Sequence, residues 1–163
     1  MQQVSMRSCF TAAAALAAIA IASPAVAQNG EMPEMVQVTQ SPHSFAVTVD
    51  RFRTATEEAG WSLLNETNMA GVLSARGYTL DPVIIFDACS GQYSAQILGM
   101  DEARPISAFM PCRVSIYQDS QGDVFISRMN VSAFLPMMPD EVAEVMELSS
   151  NEVEAIIEQT VAE

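Results

Sequence analysis

At 163 residues and a formal charge of −13, with 20 acidic residues and no lysine, the chain has the length of one domain and a surface that repels phosphate backbones and anionic lipid. Nucleic acid and membrane surfaces are therefore excluded as expected partners, and Lys-dependent covalent catalysis has no residue to use. Half of the residues are hydrophobic, enough to bury a core without a cofactor.

Arg7, the apolar run Cys9–Ala22 and the Ala25-Val26-Ala27 site behind Pro24 form the three-part pattern of a secretory signal over 1–27, cleaved before Gln28. The run is too short and too rich in alanine to span a bilayer. Cys9 stands at its front rather than at a lipidation position, so it leaves with the signal. The expected location is periplasmic or secreted, with no membrane attachment after cleavage. Residues 28–41, weakly periodic and carrying Pro33, read as a spacer, and the domain is expected over 42–163.

Phe45, Val47 and Val49 alternate with Ala46 and Thr48, which predicts a strand over 43–49. Asp50 then caps a predicted helix with Phe52, Ala55, Thr56 and Ala59 inward, stopped by Gly60. A strand at Trp61–Leu64 and a short helix from about Asn68 to Gly77 follow. Val83-Ile84-Ile85-Phe86, an unbroken apolar run, predicts the central strand, buried on both faces. Gln92–Leu98 reads as a helix with Tyr93, Ile97 and Leu98 on one face, and Asp101–Pro105 as a polar loop.

Cys112–Tyr117 and Val124–Met129 form a predicted hairpin whose turn carries Gly122. Asp140 caps one C-terminal helix, and Ser149 with Glu152 reads as the capping box of a second. The pattern predicts a compact α+β domain: a mostly antiparallel sheet, helices packed on it, and a C-terminal helical extension from about residue 131.

His43 is the only histidine, so a Ser-His-Asp arrangement would have to use it, and no Gly-rich phosphate loop, H-E-x-x-H or C-x-x-C is present. Carboxylate catalysis would need two acidic groups to converge in a pocket, which linear spacing does not show. The remaining chemistry belongs to Cys89 and Cys112, each placed where a strand meets a loop. Three readings stand: a structural disulfide in an oxidising compartment, a thiol or metal site, and two unrelated buried cysteines.

For the second reading Met110 and Met100 supply thioethers, Arg113 would lower a neighbouring thiol's pKa, and Tyr93 follows Cys89 on a helical face. Such a soft set suits Cu(I) or haem iron. The other methionines, Met146 among them, read as core filling.

Cys89-Ser90-Gly91-Gln92-Tyr93-Ser94-Ala95 and Met110-Pro111-Cys112-Arg113-Val114, continuing through Tyr117, Gly122 and Ile126-Ser127-Arg128-Met129-Asn130, resemble the cysteine-bearing branch of domain-of-unknown-function family 302 (DUF302). The resemblance runs from about His43 to Asn130, with Gly91 standing where that branch often has proline. It implies a small α+β fold, a homodimer, proximity of Cys89 and Cys112, and no established activity. It also implies that the cysteines are a specialisation rather than a requirement of the fold. Two functions are therefore carried forward: an exported thiol-redox or soft-metal accessory protein acting on a small ligand or a periplasmic protein, and a non-catalytic interaction module with a structural disulfide.

Overall fold

The structure, a computed structural model, describes residues 35–163. The expected signal peptide and the front of the expected spacer lie outside the described residues. Five strands, β1 (Val36–Ser41), β2 (Ser62–Asn68), β3 (Val83–Cys89), β4 (Cys112–Gln118) and β5 (Val124–Met129), pair antiparallel in the order β1-β5-β4-β3-β2. The helices are α1 (Phe45–Glu58), α2 (Met69–Ser74), α3 (Gly91–Leu98) and α4 (Asp140–Val161). Among the described residues no helix is long and apolar enough to cross a membrane.

One face of the sheet carries the main core. Ile84, Phe86 and Ala88 of β3, Val114 and Ile116 of β4, and Val124 and Ile126 of β5 are buried beneath Val49, Phe52 and Ala55 of α1 and Val153, Ile156 and Ile157 of α4. The Phe52 and Phe86 rings meet at 5.0 Å in a tilted arrangement. Burial alternates along β3, so this apolar strand is covered fully on one face and not, as expected, on both. The middle strand is β4. A second cluster, formed by Ile97, Ala103, Val131, Val142, Val145 and Met146, lies under the first half of α4.

Four local expectations change. The alternation at 45–49 belongs to the start of α1: Thr48, read as outward, is fully buried, and its hydroxyl shares a 2.8 Å hydrogen bond with Ser41. The first strand lies earlier, inside the expected spacer, where Val36–Ser41 pairs along the whole of β5. Asp101–Phe109, read as a loop over its first residues, forms a 3-10 helix. The two C-terminal helices are one helix of 22 residues, because Val142, Val145, Met146, Ser149, Val153, Ile156 and Ile157 form an unbroken inward stripe.

Two terminations position the site. Gly60, at φ +74°, ends α1 in a Schellman motif: its own N–H donates to Glu57 O and that of Trp61 to Thr56 O, each at 3.0 Å. The motif delivers Trp61 into the core at 4% exposure. At the far end of α4, Arg51 of α1 donates to the carbonyls of Thr160 (2.7 Å), Gln159 (3.1 Å) and Ala162 (2.8 Å), and His43 Nε2 lies 2.9 Å from Ala162 O. These groups satisfy orphan carbonyls and complement the helix dipole. His43 therefore serves the fold. Arg128 of β5 ties the sheet to α4 by pairing with Glu154, and it donates to Thr39 Oγ1 of the neighbouring β1 at 2.7 Å.

Candidate functional site

In an antiparallel pair the end of one strand faces the start of the next. Ala88 pairs with Cys112, so Cys89, the last residue of β3, sits beside the first residue of β4. The two half-buried cysteines, unbridged in this structure, line one cavity of about 20 Å³ together with Met110, Met146, Tyr93, Ser94 and Ser149. A cavity of that size admits one water-sized occupant.

Each thiol stands beside a serine from a different helix. Cys89 Sγ and Ser94 Oγ of α3 are 3.1 Å apart and hydrogen-bonded. Burial pushes the Cys112 thiol above its ordinary pKa; the Ser149 side chain of α4 pulls it partly back, and the nearby Cys89 adds a further upward push.

A carboxylate braces the wall behind Cys89. Glu152 of α4 accepts from Trp61 Nε1 at 2.7 Å and from Tyr93 OH at 2.6 Å, joining the α1–β2 link, α3 and α4. The hydrogen bond to Glu152, with desolvation and the carboxylate's charge behind it, raises the Tyr93 pKa and keeps the phenol protonated.

The structure brings Met110, Tyr93, Cys89 and Cys112 together but not Met100 or Arg113. Met100 packs on the second cluster and lines a separate surface depression with Glu102 and Ala103. Arg113 is an exposed strand residue whose Nε donates to Asp87 Oδ1 at 3.1 Å, opposite it across the ladder. Its charge is spent on that partner, so the expected lowering of the Cys112 pKa does not occur; burial raises it instead.

Met146, Ser149 and Glu152 were not expected at the site. All three lie on α4, where Ser149 and Glu152 look like a helix start. The available signal was spacing: Met146 and Ser149 lie three residues apart, on one face of an unbroken helix. Among the described residues no group of three or more His, Cys, Asp or Glu could hold a metal ion. Two thiols and two thioethers around one cavity make a different, softer donor set.

These features define a small antiparallel α+β domain with a thiol–thioether cavity where the inner strands β3 and β4 end and begin. The family model described as "Domain of unknown function DUF302" matches residues 37–163, and the chain belongs to that family. The match includes nearly all of β1, within the expected spacer. The chain is similar to an uncharacterised conserved DUF302 protein from Bacillus stearothermophilus, whose crystal structure superposes with a TM-score of 0.70 at 19% identity, over 77% of this chain and 98% of that one. At that identity the likeness shows the fold alone. No curated protein matches the sequence.

Proposed function

We propose that this DUF302 domain is an exported accessory protein that binds a soft monovalent metal ion, Cu(I), through Cys89 and Cys112 with Met110 and Met146. The observation that carries the reading is the single cavity of about 20 Å³ lined by all four sulfur residues. Thiolate and thioether donors select Cu(I) over harder ions. A cavity that admits one water-sized occupant suits an ion, whereas a haem macrocycle has no room there.

Binding exchanges the two thiol protons, released to solvent, for one cation and transfers no electron. Ser94 and Ser149 hold the thiols in place, while the Tyr93–Glu152–Trp61 contacts hold the wall behind them.

Titration of the reduced protein with Cu(I) against a chromophoric Cu(I) chelator tests the reading. One equivalent bound by the native protein and none by a folded Cys89→Ser, Cys112→Ser variant supports it; equal competition by both proteins overturns it. Export belongs to the same proposal, and the mass of protein recovered from outside the cytoplasm should begin at Gln28.

A further inference from the structure

Three methionines meet again outside the cavity. Met35, Met110 and Met129 line an open groove of about 500 Å³ with Phe109, Pro111 and Arg113, whose positive charge is paired with Asp87. Met110 is common to this groove and to the thiol cavity, so Phe109-Met110-Pro111 separates outside from inside. Met129 is common to the groove and to a second small void of about 30 Å³, where it meets Met146 and Cys112. Methionines thus line the way from the surface to the two cysteines on two sides, Met110 on one and Met129 with Met146 on the other. Met35, at the outer end, is 51% exposed.

Resting on the proposed function, we infer that the Met35–Met110–Met129 groove is the entry site for the same soft cation. Thioethers are neutral and carry no proton to displace, so they take up Cu(I) weakly and release it readily. Thiolates hold it more strongly because each binds as an anionic soft donor, its proton having passed to solvent. An ion captured at the groove therefore moves inward by ligand exchange, with its oxidation state unchanged and the thiol protons released to solvent when it arrives.

The test uses Ag(I), a redox-inert stand-in for Cu(I), with methyl-labelled methionine followed by NMR. In the native protein a first equivalent should occupy the cysteines and shift the shared Met110 methyl, and a second, weaker one should shift the Met35 and Met129 methyls, the groove's own, in fast exchange. Leucine keeps the apolar volume of methionine. A Met35→Leu, Met129→Leu variant should therefore fill the cysteine site to the same extent but about tenfold more slowly, the scale on which a lost metal contact acts.

Loading at the native rate, with groove methyls that do not move, overturns the entry site and leaves the cysteine site standing. Groove methyls that shift in a native protein whose cysteines take no Ag(I) overturn the proposed function and leave the groove as a metal site. Absence of both effects overturns both.

Discussion

Cys112 is held in a setting that favours the neutral thiol, chiefly because burial disfavours its charged form. Its alkylation by iodoacetamide, read by mass spectrometry, should therefore rise with pH at a midpoint above that of a free cysteine. A midpoint at or below the free value would contradict the packing described around it. The same shift fixes a sign for stability: the folded state prefers the protonated thiol, so this contribution is present below the unfolded-state pKa and is lost as pH rises through the folded one. Glu152 is the second residue with a specific consequence. Glu152→Ala would leave the Trp61 indole N–H, on a side chain 4% exposed, without its acceptor. Urea unfolding should show a loss of about 1–3 kcal/mol, the cost of an unpaired buried donor, whereas Tyr93→Phe, which removes a hydroxyl at a half-buried position, should cost less.

Among the elements, α4 depends on α1 for its last turn. Arg51→Ala should lower stability by about 1–2 kcal/mol, on the scale of a charge-assisted cap. Hydrogen exchange should then quicken in residues 157–162 before it quickens in the sheet, and a uniform change would argue against the cap. The hairpin β4–β5, α2 and α3 were legible from the sequence because alternation, the Asn68 cap and the turn glycines all agreed with the tertiary fold. The start of α1 was not, because Phe45, Val47 and Val49 carry strand-favouring side chains over a window too short to separate periods of 2 and 3.6. Val47 is 45% exposed, and Thr48 is tolerated in the core only because Ser41 and the helix carbonyls satisfy its hydroxyl. Edge strand β1 was hidden for the opposite reason: its pattern is half exposed, and pairing with β5 rather than apolar content makes it a strand. The site was legible as a cysteine pair, while its α4 half was lost with the misplaced helix boundary at Ser149.

At the scale of the molecule the cavity lies on the seam between two packed clusters. Cys112 packs against the cluster under the sheet, Met110 and Met146 belong to the one under the first half of α4, and Tyr93 touches both. Apart from its α4 residues the second cluster rests on α3 and short 3-10 segments without sheet hydrogen bonds, so these should open at lower free energy than the strands. Amides of α3 and of residues 101–109 should accordingly exchange faster than those of β4, and one equivalent of Cu(I) should slow them selectively. Protection confined to the strands would show that the ion does not bridge the two clusters. Since an α-helix rises 1.5 Å per residue, the stretch of α4 from Ser149 at the thiol cavity to Thr160 at the Arg51 cap spans about 17 Å.

The hydrogen bond that Glu152 receives from Trp61 also makes the protein its own optical probe. The chain has one tryptophan, and that indole lies 6.4 Å from the Tyr93 ring that walls the cavity. Emission from this single chromophore therefore reports on the meeting of the α1–β2 link, α3 and α4 without an attached label. Any event that parts those elements, an arriving ion included, should be read directly as a change in its colour or brightness.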